Sequence, residues 1–131
     1  MLPYFLALLA QIELKAGRPQ SALPMFEEAR IRVERTGERW YEAEIHRLEG
    51  EVLVALDRLA DAKACFARAL ETAAGQQARF WELRAALSLA RLNHDPAARD
   101  RVGRLRAGFS EGFELPDLKA ARAFAPDDTR C

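Results

Sequence analysis

Cysteine is scarce in this sequence, with Cys65 and Cys131 the only two among 131 residues. They form neither a disulfide framework nor a metal-ligand spacing, so a reducing cytoplasm is the simplest compartment to expect. Net charge is absent too. Twenty Lys and Arg offset twenty Asp and Glu, which argues against a general binder of nucleic acid or anionic membrane, because such proteins carry a basic excess. Long hydrophobic runs are also missing. The most apolar stretch, Met1 to Ala10, has no basic residues ahead of it and is far too short to span a bilayer. We read it as helix rather than as a signal peptide. No segment alternates β-branched with polar residues as a strand would. What is present is 50% hydrophobic and 31% charged, the balance of a soluble folded chain with room for one compact domain or three to four stacked helix pairs.

Gly, Pro and Asx residues punctuate that chain. A first helix is expected over 3–16, ended by Gly17 with Pro19 beyond it. Ser21 is placed to cap a second over 21–35, with Pro24 in its first turn where a missing N–H is harmless. Thr36-Gly37 closes it. A third helix is expected over 39–56, a turn at Asp57-Arg58, and a fourth from about Asp61 to residue 74, broken by Gly75. The fifth spans 78–92 and stops at Asn93-His94-Asp95-Pro96, and the sixth covers 97–109. A short last helix follows Pro116 to Phe124, before a polar tail over 126–131.

These helices repeat. Ala62, Phe66 and Ala69 fall on one helical stripe, and Ala22, Phe26 and Ala29 form the same stripe 40 residues earlier. The same spacing aligns Ala10, Gly50 and Ala90, and sets Arg39-Trp40-Tyr41-Glu42 over Arg79-Phe80-Trp81-Glu82. Six of the eleven aromatics pair at this one spacing, where independent placement would give roughly one pair or fewer. Alanine matches alone would say little in so alanine-rich a chain. A hairpin of two helices cannot bury its apolar face by itself, so repeated hairpins stack. Ala10, Gly50 and Ala90 would let paired helices approach closely, while Phe26, Phe66 and Val102 fill the wedge between hairpins. In the third copy the stripe has become Ala98, Val102 and Leu105.

Leu9-Ala10 followed by Ala22-x3-Phe26, and Glu49-Gly50 followed by Ala62-x3-Phe66, resemble the tetratricopeptide repeat pattern of L-G then A-x3-F. The period is 40 rather than the usual value of about 34, which implies lengthened second helices, and the usual proline is missing at Glu34 and Ala74. The resemblance implies an all-α, right-handed superhelical stack of three TPR-like helix hairpins, over about 3–36, 37–76 and 77–112, with a C-terminal capping helix over 116–124. Residues 4–10, Thr36-Gly37-Glu38-Arg39-Trp40, Trp81-Glu82-Leu83-Arg84-Ala85-Ala86, Glu111-Gly112-Phe113 and Pro116-Asp117-Leu118-Lys119 narrow it further. They look like the C-terminal repeat segment of large bacterial signalling proteins that join a nucleotide cyclase or DNA-binding domain to an AAA-type ATPase. No P-loop or cyclase metal site is present. The resemblance therefore implies a non-catalytic interaction segment, without cofactor, whose partner is a protein, a peptide or another domain of a parent chain.

First helices of such stacks line a concave surface. The expected inward positions are Gln11 and Lys15, then Glu44, Arg47 and Glu51, then Arg84, Leu87 and Arg91. They make either a mixed-charge groove for a peptide or an ordinary solvated face with helical ion pairs. Glu42, His46 and Glu49 share a helix face, but no facing ligand cluster exists to complete a metal site, so His46 is expected half-exposed among carboxylates. His94-Asp95 has no nucleophile at helical spacing, and Cys65 is expected to pack as a small apolar residue. Arginines 99, 101, 104 and 106 form either a solvated helix or a basic patch. A nucleic-acid regulator would need them aligned with Arg84 and Arg91 in one stripe. Finally, Pro3 to Leu14 is apolar on too many sides for a stack's end. Further protein, or a second copy of the chain in a homodimer, is expected to cover it.

Overall fold

The structure is a computed structural model that describes residues 3–93, 96–108 and 121. Among them the chain forms six helices: α1 (Pro3–Lys15), α2 (Pro19–Thr36), α3 (Glu42–Ala55), α4 (Leu59–Gly75), α5 (Arg79–Asn93) and α6 (Pro96–Ala107). No strand occurs among the described residues. The architecture is an all-α stack of helix hairpins, α1–α2, α3–α4 and α5–α6. At 18 and 17 residues, α2 and α4 are longer than α1 and α3 at 13 and 14, which is where the long period is absorbed.

Among the described residues four in the left-handed conformation turn the chain, and they too recur every 40 positions: Gly17 (φ +80°) with Asp57 (+60°), and Gly37 (+73°) with Gln77 (+56°). Around Gly17 the Arg18 N–H reaches the Glu13 carbonyl at 2.9 Å while the Gly17 N–H reaches Leu14 at 3.1 Å. This paired pattern satisfies helix-end carbonyls that would otherwise lack donors. Asp57-Arg58 and Gln77-Ala78 reproduce it. Gly37 makes the simpler closure, its N–H donating to Val33 at 2.8 Å. Gly bears φ > 0 without a steric penalty, whereas Asp57 and Gln77 do so at some cost.

Three boundary expectations are corrected by these turns. α2 begins at Pro19, with Arg18 in the capping position and no side-chain cap, so Ser21 lies inside the helix. Proline fits a first helical position because its φ is already set and no donor is lost. The earlier start puts Pro24 within α2 rather than in its first turn, where it cannot donate to the Gln20 carbonyl. Burial of Ala22, Phe26, Ala29 and Val33 holds the helix together around it. α4 likewise starts at Leu59 rather than Asp61, after Arg58. It runs through Gly75, and the break falls at left-handed Gln77. The last helix expected over 116–124 and the tail lie outside the described residues, apart from Ala121. That residue is helical and fully buried in one cluster with Leu83, Ala86, Ala90 and Val102.

The alanine and phenylalanine stripes are core, as their spacing requires. Ala22, Phe26, Ala29, Ala62, Phe66 and Ala69 are all buried, and Ala98 and Val102 continue the stripe in α6. Gly50 of α3 faces Phe66 of α4 so closely that a Cβ would lie 2.5 Å from the ring. The backbones of α1 and α3, and of α3 and α5, approach closely, whereas those of α2, α4 and α6 stand further apart among the described residues. First helices therefore form a closed inner layer, and second helices splay on the other side.

Gly50→Ala is expected to destabilise the chain. Overpacking typically costs about 1–3 kcal/mol and outweighs the roughly 1 kcal/mol gained in helix propensity. An unchanged or raised urea midpoint would show that the Phe66 ring moves aside freely. Gln77→Gly is expected to do the opposite, raising stability by about 1 kcal/mol through relief of the left-handed backbone.

Candidate interaction face

Tyr41 begins the inner layer of the second hairpin, and a carboxylate one turn on decides its electrostatics. Glu44 is 1% exposed, a burial that a carboxylate tolerates only when paired and hydrogen-bonded. Arg47 supplies that pairing, its Nε and a terminal amino group donating to the two Glu44 oxygens at 2.9 and 2.6 Å. Arg84 of α5 adds a contact at 2.5 Å. Arg47 also lies 3.5 Å from Glu51, which accepts a hydrogen bond from Ser88 of α5 at 2.8 Å. The guanidinium of Arg84 rests 5.9 Å from the centre of the Trp81 ring. A charged lattice thus joins the inner helices of the second and third hairpins. Burial, with the Glu44 carboxylate nearby, pushes the Tyr41 phenol up to about 12, so it stays neutral.

The expected inward residues separate into three kinds. Glu44 and Arg47 are buried and act as the floor. Leu87 is buried in the third-hairpin core with Leu83 and Ala90, because that side of α5 packs on its own hairpin instead of opening to solvent. Gln11, Glu51 and Arg84 are partly exposed, and Lys15 and Arg91 are exposed. Ser88 was not among the expected residues, although its place one turn after Arg84 marked it.

A chain of aromatic rings edges this face. Phe5 meets Tyr4 at 5.5 Å between centroids, Tyr4 meets Tyr41 at 4.8 Å, Tyr41 meets Trp81 at 5.5 Å, and Trp81 meets Phe80 at 5.7 Å. Trp40 packs on Tyr4 and Tyr41. Most pairs are edge-to-face or tilted, the arrangement that ring quadrupoles favour. The repeat spacing of Trp40-Tyr41 and Phe80-Trp81 signalled their equivalence, but not their contact with Tyr4.

His46 is corrected from half-exposed to buried, at 5% exposure. Its Nδ1 has no hydrogen-bond partner, and desolvation, with Arg68 and Arg30 nearby, depresses its pKa to about 4. Glu49, which shares its helix face, pairs instead with Arg30 of α2. Among the described residues no three His, Cys, Asp or Glu side chains converge as metal ligands. The arginines of α6 do not make a free stripe with α5. Arg84 pairs with Glu44, Arg101 pairs with Glu82 at 2.8 Å, and Arg106 is buried. His94-Asp95 lies outside the described residues. On the opposite side a shallow groove of about 600 Å³ runs between α2 and α4 over Leu53 and Glu49. Cys65 lines it, half-buried, its thiol pushed up to about 11 by burial and therefore poorly nucleophilic. No helix among the described residues is long and apolar enough to cross a membrane.

Residues 4–75, more than half of the chain, match the family model of the tetratricopeptide repeat, and the chain belongs to that family. No curated protein and no solved structure matches it.

Glu44→Ala would strand the buried Arg47 charge and is expected to cost about 3–5 kcal/mol in chemical denaturation. A loss below 1 kcal/mol would mean that water already solvates the pair. His46 makes stability depend on pH. Because its folded pKa lies below the unfolded value of 6.5, the unfolded chain binds the extra proton. The histidine's contribution is therefore complete above pH 6.5 and lost as pH falls toward 4. By this linkage the wild type should lose about 2 kcal/mol more than His46→Gln between pH 7 and pH 5. Parallel pH profiles of the two proteins would contradict the assignment.

Proposed function

We propose that this tetratricopeptide-repeat chain is a non-catalytic interaction module that holds an extended peptide, or a neighbouring domain, along the exposed rim of its first helices. Repeats of this family typically bind proteins or peptides. The observation that carries the reading here is the construction of the inner layer. Glu44 and Arg47 are locked beneath the surface, and this fixes the side chains above them before any partner arrives. Lys15, Glu51, Arg84 and Arg91 then offer charges of both signs along one layer of helices, with Gln11 as an amide donor and acceptor. A partner recognised this way carries spaced charges, with its acidic groups toward Lys15, Arg84 and Arg91.

The likeness of residues 3–124 to the C-terminal repeats of signalling ATPases and cyclases supports a regulatory setting in the cytoplasm, where the partner is a domain of such a protein. The alternative, a nucleic-acid regulator using a basic face of the third hairpin, is disfavoured by the engagement of Arg101 with Glu82 and the burial of Arg106, which interrupt that face. Phosphate binding draws on unpaired arginines in a continuous patch.

Selection of a random peptide display library against the immobilised chain tests the reading. Selected peptides should lose at least tenfold in affinity on Lys15→Ala, Arg84→Ala, Arg91→Ala combined. The same peptides should bind the outer-face variant Lys63→Ala normally. Selection that yields only peptides indifferent to the triple substitution would overturn it.

A further inference from the structure

The groove between α2 and α4 is unevenly neutralised along its length. Arg30 of α2, Arg58 at the start of α4 and Arg68 of α4 all line it. Arg30 is paired with Glu49, and Arg58 with Asp61 at 2.7 Å. Arg68 is exposed and has no carboxylate partner among the described residues. His46 belongs to the same end. It stands three and seven positions before Glu49 and Leu53 on one stripe of α3, and both of those residues line the groove. The imidazole is 5% exposed, and its Nδ1 is buried without a hydrogen-bond partner. Arg68 of α4 and Arg30 of α2 both act on it, while the carboxylate on its own helix, Glu49, is engaged by Arg30. A buried polar atom left unpaired is uncommon in a folded chain. Here it lies beside a guanidinium that also lacks a counter-charge. Next to this corner the lining is apolar, with Leu23 on one wall, Ala64 and Cys65 on the other, and Leu53 beneath.

We propose that the groove is a second docking site, taking a peptide segment that sets an apolar side chain on Leu23, Leu53 and Cys65 and a single carboxylate against Arg68, beside His46. Charge selects the carboxylate, since a guanidinium without a partner binds a carboxylate through charge-assisted, bidentate hydrogen bonds. Charge also limits it to one. Glu27 lines the α2 wall, exposed and without an ion-pair partner among the described residues, and repels a second acidic group. With Glu27, Glu49 and Asp61 set against three arginines, the groove offers a phosphate backbone no basic excess. Length selects a peptide over a free acid. Gln20 and Arg30 both line the α2 wall and stand about 15 Å apart at the helical rise, the span of about four to five extended residues. A short-chain acid would occupy only the Arg68 end. The site lies away from the rim of the first helices and does not rest on the reading given to that rim.

NMR titration of the isotope-labelled chain tests the proposal. The probe is a pool of blocked pentapeptides with Leu and Glu two positions apart and uncharged residues elsewhere, taken to about 5 mM, because so small a contact binds weakly. Resonances of Glu49, Leu53, Cys65 and Arg68 should move, and the His46 imidazole should titrate at higher pH in the complex, since the added carboxylate favours its charged form. The matching pool with Gln in place of Glu should bind at least tenfold more weakly. Arg68→Gln, an exposed change that leaves the core intact, should weaken the Glu pool at least tenfold, whereas Glu27→Gln should bind it as well or better. No movement of these resonances up to the highest concentration would overturn the proposal. So would equal binding of the Glu and Gln pools, indifference to Arg68→Gln, or butyrate binding as tightly as the peptides. Movement confined to Lys15, Arg84 and Arg91 would overturn it while leaving the rim as a peptide site.

Discussion

The contact between the Phe66 ring and the bare backbone of Gly50 sets the spacing of the central hairpin. Much else in the stack follows from that closeness. An aromatic ring buried between two helices brings a large apolar area out of water, but only if the facing helix has nothing larger than a small residue there. Ala10 and Ala90 meet the same requirement in the outer hairpins and are fully buried. With each hairpin drawn tight, the remaining apolar surface of α3 and α5 is offered to the hairpin before it, and stacking follows because neither can bury that surface alone. The splay of α2 from α4, and the groove between them, are the geometric counterpart of first helices that touch.

Upon this apolar frame sits a charged layer with a different role. Glu44 and Arg47 are expensive to bury, and replacing such a pair by apolar residues is often neutral or stabilising. Here the pair reaches Arg84, Ser88 and Glu51 across two hairpins, so it fixes how α3 and α5 face each other. A core of Ala, Leu and Val tolerates small rotations of one hairpin against the next. A bidentate guanidinium–carboxylate contact does not, because its geometry is narrow. The aromatic chain from Phe5 to Phe80 reinforces the same alignment at the starts of the first helices.

The turns were the least legible part of the fold. Gly17 and Gly37 announced themselves, whereas Asp57 and Gln77 occupy the same backbone conformation with side chains that give little local sign of it. Their positions follow from the repeat instead: each stands 40 residues after a turn glycine. Ser21 drew the start of α2 inward because serine is a good cap in isolation. The pre-set φ of Pro19 and the close of α1 at Gly17-Arg18 took precedence. His46 and Leu87 were misjudged for a shared reason. Helical spacing says which residues lie on one face, but not which neighbour covers that face.

The sequence by itself determined the fold class, the repeat, and the identity of the packing stripe. Each rests on periodic placement of small and aromatic side chains, and the spacing of residues along a helix is fixed by local geometry alone. Only the tertiary structure decided which polar residues are accessible. Glu44 and Arg47 could have been a solvated pair on a helix surface. The approach of α5, bringing Arg84 and Ser88 over them, turned them into a buried floor. That approach depends on the angle and distance between hairpins, which arise from packing among residues some 40 positions apart and leave no trace in either helix read singly.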